Sequence, residues 1–351
     1  MSAKWWLRPM ASPSEARTQA ARQRQGQLTK PPGSLGELET IAVRLCGLQD
    51  RDRPGIDRLL IVVFAADHGV AEEGVSAFPQ SVTVEMVRNF SRGGAAISVL
   101  ARALNATLEV VNVGTADDLG PLPGVINRRI APGTANIRHA PAMTPPQLEN
   151  ALQIGIEAAE RASVNRMDLF IGGEMGIANT TSAGAVACAL LGMAGAALAG
   201  PGTGLDDAGV RHKARVIDEA IARHGCARAD VLGVLRCLGG FEIAALTGAY
   251  LHCAQMGIPV LVDGYISTVA ALCAQRLNAD VSAWFFYGHH SAEPGHRFVM
   301  EALGARPLLH LGMCLGEGSG ASVAVPLLRM ACLLHNQMAT FAEAGVSRAL
   351  E

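Results

Sequence analysis

Leu59-Leu60-Ile61-Val62-Val63-Phe64-Ala65-Ala66 is an unbroken apolar run that stops abruptly at Asp67-His68-Gly69-Val70. A strand with one wet face alternates apolar and polar residues. This run does not, so it reads as a strand covered by helices on both sides. Polar residues at the carboxyl end of such a strand stand where open α/β sheets bind ligands. Asp67 and His68 admit two readings there. As metal ligands they lack a matching third; as a hydrogen-bonded pair that orients the loop they need none, and that reading is preferred.

The pattern recurs along the chain. Leu108 to Val113 reaches Gly114, Met167 to Gly172 reaches Gly173-Glu174, Ile258 to Val262 reaches Asp263-Gly264, and Leu308 to Leu315 reaches Gly316-Glu317. Helical stretches lie between: residues 82–90, 93–102 and 146–162, a segment through Lys213 and Ile221, and two more starting at Gly239 and Ser267. Such alternation predicts an α/β fold, a doubly wound and mainly parallel sheet flanked by helices. Residues 116–145, rich in Pro, Gly and Asn, predict loops and short strands. Residues 13–50 read as two polar helices joined by the rigid turn Lys30-Pro31-Pro32-Gly33-Ser34-Leu35-Gly36. That turn reads first as a connector; Lys30 reaching an anion is the other reading.

Half of the 351 residues are hydrophobic, yet only 4% are aromatic and 39 are Gly. Small aliphatic side chains of this kind suit parallel strands packed on small-residue helices. A net charge of -2 with no basic face predicts neither a nucleic-acid partner nor a membrane-surface role. The eight cysteines are scattered without a CxxC pair, as core hydrophobes of a reducing compartment are. The first residues lack the apolar run of a signal peptide, so the cytoplasm is expected. Ala183 to Gly200 is uncharged and nearly long enough to span a bilayer, but Ala and Gly insert weakly. Following Thr180-Thr181-Ser182, which reads as a helix cap, it predicts a helix buried against the sheet.

Two carboxylates follow strands through glycines. Gly173-Glu174-Met175-Gly176 leads to Asn179-Thr180-Thr181-Ser182, whose amides and hydroxyls at a helix N-terminus make either a phosphate site or ordinary caps. Leu315-Gly316-Glu317-Gly318-Ser319-Gly320 holds a carboxylate between glycines that let the backbone turn tightly and a ligand come close. Equally, Ser319 caps the next helix and Glu317 is inert. Pro326 marks a kink in that helix, or its start. Lys213 reads as a solvated helix lysine ahead of a partner for phosphate or carboxylate. His289-His290-Ser291-Ala292-Glu293-Pro294-Gly295-His296 offers three histidines and a glutamate. Ser291 capping a helix that begins near Glu293-Pro294 explains that run more simply than a metal site does. With neither GxxxxGK[ST] nor GxGxxG present, ATP and NAD are not predicted.

KPPGSLG (30–36), ADHGV (66–70), GEMGIANTTS (173–182), VDGY (262–265), HHSAEPGH (289–296) and LGEGSGA (315–321) follow one another in this order. Over residues 30–335 the chain thereby resembles the nicotinate-nucleotide–dimethylbenzimidazole phosphoribosyltransferase family. The resemblance implies transfer of 5-phosphoribose from nicotinate mononucleotide to a benzimidazole. With 5,6-dimethylbenzimidazole the products are α-ribazole 5'-phosphate, for the lower ligand of cobalamin, and nicotinate. It implies Glu317 as the base that removes the azole N–H proton, with Glu174 and Lys213 as further catalytic positions. Substrate contacts are implied at Gly176, Asn179, Thr180, Thr181, Gly202, Asp263 and Ser291, and a base pocket at Phe78, Met86 and Leu315. Some relatives carry a more polar pair where Phe78 and Met86 stand, which leaves the preferred acceptor open. The organisation expected is a catalytic α/β domain over residues 55–335, with a small helical domain from residues 1–54 and 336–351. A homodimer is implied, and neither metal nor cofactor.

The chemistry agrees. Nicotinate leaves a cationic pyridinium as a neutral ring, which needs no metal, and the acidic strand-end motif that holds magnesium in pyrophosphate-releasing relatives is absent. Displacement at C1' passes through an oxocarbenium-like state that a carboxylate such as Glu174 stabilises. Partial burial of Glu317 would raise its pKa and make it a better base. Two rival classes remain at this point: a metal-dependent hydrolase on Asp67, His68, His289 and His290, and a nucleotide sensor that consumes nothing.

Overall fold

The computed structural model describes residues 4–347, so residues 1–3 and 348–351 of the expected terminal unit lie outside the described residues. Seven strands form one sheet: β1 (Leu59–Ala66), β2 (Thr107–Gly114), β3 (Val125–Asn127), β4 (Leu169–Met175), β5 (Val260–Val262), β6 (Phe285–His289) and β7 (Pro307–Leu309). Their order is β3-β2-β1-β4-β5-β6-β7, and every ladder is parallel. The chain winds outward from β1 through β2 to β3, returns to the other side of β1, and winds outward again. The reversal lies between β1 and β4, and a crevice opens outside the carboxyl ends of the strands at such a point.

All eight residues of β1 are buried, which is why its sequence does not alternate. Phe64 of β1 stands beside Glu174 of β4, so that carboxylate leaves the sheet from inside the strand end. Helix Phe241–Gln255 packs against helix Pro145–Val164 through glycines. A Cβ at Gly155 would overlap the Ala245 carbonyl and one at Gly248 the Leu152 carbonyl, so the two backbones touch. The small-residue composition is thus used in helix packing.

The stretch from Ala183 to Gly200 belongs to a buried helix, Asn179–Leu191, and a short turn, Gly195–Leu198. Gly192, with φ +71°, ends the first of these. Among the described residues no helix is long and apolar enough to cross a membrane. Helix Ser319–Gln337 starts ahead of Pro326 and runs on through it. Helices Glu15–Gln25 and Glu37–Gln49 lie near its end: Gln25 Nε2 and His335 Nδ1 are 2.9 Å apart, and Arg24 Nε donates to the His335 carbonyl at 2.7 Å. Ile41 and Leu45 join the same continuous core as β1. Lys30 is buried in an ion pair with Glu39 at 2.8 Å, which secures the turn it sits in.

Candidate active site

A cavity of about 450 Å³ opens at the carboxyl ends of β4, β5 and β6. β4 and the turn after it supply Glu174, Gly176, Asn179 and Thr180, and the end of β5 supplies Asp263. The end of β6 supplies His289, and beyond it come Ser291 and Glu293; Gly202, Phe78, Leu315 and Gly316 are also in the wall. Lys213 and Thr181 stand behind that wall. Met86, on helix Ser81–Arg92, packs against the core and does not line the cavity.

Glu174 is 5% exposed and takes a hydrogen bond from Asn179 Nδ2. Burial, followed by the negative charges of Glu242 and Asp263, pushes its carboxyl up to about 8. Asp263 faces the start of helix Ser319–Gln337, where Oδ1 accepts the Ala321 N–H at 2.7 Å and Oδ2 the Gly318 N–H at 3.2 Å. Burial raises its pKa against the pull of His289 and of those amides. Asp263 therefore caps this helix from another element. Ser319, expected to do so, instead donates to the Gly316 carbonyl at 2.7 Å.

The hydroxyls after β4 are not caps either. Helix Asn179–Leu191 begins behind Ala178, at φ 74°, without a side-chain cap. Ser182 Oγ lies 2.9 Å from His68 Nδ1, and the other ring nitrogen of His68 lies 2.8 Å from Glu242 Oε1. Asp67 Oδ2 accepts the Ala116 N–H at 2.7 Å, and Gln80 donates to the His68 carbonyl at 3.0 Å. Of the two residues after β1, read as a loop-orienting pair, Asp67 holds the loop after β2, whereas the His68 ring bridges helices Asn179–Leu191 and Phe241–Gln255.

Lys213 departs from the solvated lysine expected of it. It is 1% exposed and donates to Thr180 Oγ1 and to the Gly200 carbonyl, each at 3.1 Å. Burial brings its pKa down to about 8, with Glu293 opposing. Its position carried a signal: Lys213 is in phase with Val216, Ile217 and Ala220, the buried stripe of helix Asp207–His224.

Ser291 caps no helix, because the helix starts only at His296. Ser291 Oγ accepts the Glu293 N–H at 3.3 Å, and the Ser291 N–H donates to His296 Nδ1 at 2.7 Å. Burial pushes the His296 pKa down to about 3. His290 stacks on His310 with ring centres 4.6 Å apart. Among the described residues no three His, Cys, Asp or Glu side chains are grouped to hold a metal.

Glu317 has φ +64°, unusual for a side chain with a Cβ. Its N–H donates to the Glu174 carbonyl at 3.2 Å, tying the two glutamates together through the backbone. Its carboxylate does not line the cavity; Oε2 accepts the Ile97 N–H at 3.4 Å, in the first turn of helix Ala96–Leu104. Burial raises its pKa, and the Ile97 amide opposes that. His289 and Glu293 line the cavity although the sequence marked them only within a metal-like run.

Comparison with known proteins identifies the family. The family described as phosphoribosyltransferase matches residues 10–346. The nicotinate-nucleotide–dimethylbenzimidazole phosphoribosyltransferase of Pseudomonas aeruginosa (strain LESB58) is 59% identical over 347 residues, 99% of each chain. That of Pseudomonas putida (strain W619) is 58% identical over the same share. The crystal structure of the enzyme of that name from Thermus thermophilus superposes with a TM-score of 0.90 at 46% identity, covering 96% of this chain and 100% of the other. The chain is an enzyme, a glycosyltransferase, and it belongs to the nicotinate-nucleotide–dimethylbenzimidazole phosphoribosyltransferase family.

Proposed function

We propose that the cavity binds nicotinate mononucleotide and 5,6-dimethylbenzimidazole and transfers the 5-phosphoribosyl group between them. The observation that carries this reading is the convergence of Glu174, Asn179, Thr180, Gly202, Asp263 and Ser291 on one cavity at the strand ends. Full-length relatives named for that reaction support it.

The unprotonated azole nitrogen attacks C1'. The bond from C1' to the pyridinium nitrogen breaks with its electron pair, releasing neutral-ring nicotinate, and the azole N–H proton passes to Glu317. The product is α-ribazole 5'-phosphate, a precursor of the cobalamin lower ligand. Glu317 gives up the Ile97 amide to meet the azole, and its raised pKa makes it a stronger base than an exposed glutamate. A cationic pyridinium beside Glu174 favours that residue's carboxylate form, which then stabilises positive charge at C1'. Thr180 and the amides of its turn, with Lys213 behind them, suit the phosphate, and Gly176 and Thr181 shape that turn. Phe78 and Leu315 form the acceptor side, and Met86 packs against the core outside it.

A cytoplasmic homodimer, with residues 55–335 as the catalytic domain and residues 1–54 and 336–351 as a small helical one, completes the proposal. The reaction is tested by incubating the protein with both substrates in the presence of a chelator and separating the products. Equal amounts of α-ribazole phosphate and nicotinate are expected; intact nicotinate mononucleotide overturns the reading.

A further inference from the structure

Glu293 has no part in the reaction as described, yet it is buried in the cavity wall, 6% exposed. Its Oε1 accepts the Gly202 N–H at 3.0 Å. Its Oε2 has no hydrogen-bond partner and lies against Gly200, where any Cβ would overlap it. The same loop is held a second time by Lys213, which donates to the Gly200 carbonyl at 3.1 Å; a Cβ on Gly202 would stand 2.9 Å from that nitrogen. At Gly200 and Gly202, which have no side chains, the loop is gripped by its backbone.

The loop continues to Thr203, also in the cavity wall. Thr203 Oγ1 lies 2.9 Å from Ser76 Oγ and accepts the Ala77 N–H at 3.1 Å, one residue ahead of Phe78. One strap of backbone therefore joins an anchored carboxylate at its inner end to the acceptor side at its outer end. A buried carboxylate with one oxygen unpartnered is a poor device for stability alone, because desolvation costs more than a single hydrogen bond returns.

We propose that Glu293 is a positioning residue for the transfer: it anchors the Gly200–Gly204 loop through the Gly202 N–H and, through Thr203, sets the segment that carries Phe78. This rests on the cavity being the site of both substrates.

The test compares wild type, Glu293→Gln and Glu293→Ala by steady-state kinetics in both substrates, with thermal melting alongside. Gln keeps an oxygen for the Gly202 N–H and Ala keeps none. In Glu293→Ala, KM for both substrates rises about 10-fold, and Glu293→Gln returns both to within about 3-fold of wild type. Wild-type KM values in the Ala variant, or a Gln variant as impaired as the Ala one, overturn the inference. If the Ala variant does not fold, Glu293→Asp replaces it, drawing the carboxylate one methylene away from Gly202, with the same rise expected. A wild-type chain that neither binds nor consumes nicotinate mononucleotide overturns the cavity reading instead.

Discussion

Glu174 precedes a helix that begins behind Ala178 at φ 74°, and Glu317 precedes one that begins behind Gly318 at φ 83°. Both are buried, both are preceded by glycine, and the Glu317 N–H donates to the Glu174 carbonyl. Their surroundings differ. Glu174 sits among Glu242, Asp263 and Glu317, so burial and charge act in one direction and the carboxyl keeps its proton at neutral pH. Glu317 has the Ile97 amide of a helix first turn beside it, which opposes burial. Each accepts one amide, so the two constructions differ through charge: three carboxylates crowd Glu174 and one crowds Glu317, which therefore suits a base better.

The sharpest test of that contrast is Glu317→Gln. Turnover falls by about 10²–10⁴-fold, the span of general base catalysis, while nicotinate mononucleotide still binds in calorimetry. In wild type the activity falls as pH drops through the raised Glu317 pKa, since the base must be ionised; that acidic limb disappears in the variant. Near-normal turnover would remove the distinction between the two carboxylates.

Gly316→Ala attacks the junction between them. At φ +89° a Cβ is strained, and it would overlap Glu174 Oε1. A loss of about 1–3 kcal/mol in denaturant unfolding is expected, together with reduced activity. Unchanged unfolding would show that the glutamates are not held in register here.

Glu174→Gln gives a smaller effect with a defined sign. A carboxyl whose folded pKa is raised to about 8 binds more protons folded than unfolded between its ordinary value of 4.5 and 8. Wild-type stability therefore falls as pH rises through that window and levels off above it. The Gln variant loses this slope and is more stable at neutral pH, measured by unfolding across pH. A persistent slope would assign the proton to another group.

Phe78→Ser is the mildest. Phe78 is 52% exposed at the cavity rim, so a shift of about 3-fold in acceptor KM is expected, with KM for nicotinate mononucleotide unchanged. An altered nucleotide KM would place Phe78 on the wrong side of the site.

Much of this architecture was legible in the residues. The runs that became β1 and β4 stand out because a strand covered on both faces needs apolar side chains. The edges were harder to read: β3 and β7 have three residues each, and the run read from Leu308 to Leu315 is a strand only at Pro307–Leu309. An edge strand needs few pairing residues and so leaves little pattern. Thr180, Ser182, Ser291 and Ser319 read as caps because each hydroxyl lies near the start of a helix. Partners from other elements, a nearby carbonyl or, for Ser291, the Glu293 N–H engage them instead.

Apolar period and glycine placement are properties of neighbours along the chain, so the sequence by itself determined the strand–helix alternation, the parallel sheet and the motifs that mark the family. Protonation and hydrogen bonding depend on what lies nearby in space. Glu317 meets an amide 220 residues away, and Asp263 caps a helix 58 residues on. Lys213 turns inward to a threonine 33 residues before it. Only the tertiary structure decided which carboxyl keeps its proton, which helix ends are capped and which lysine is buried, because desolvation and Coulomb interactions act through space.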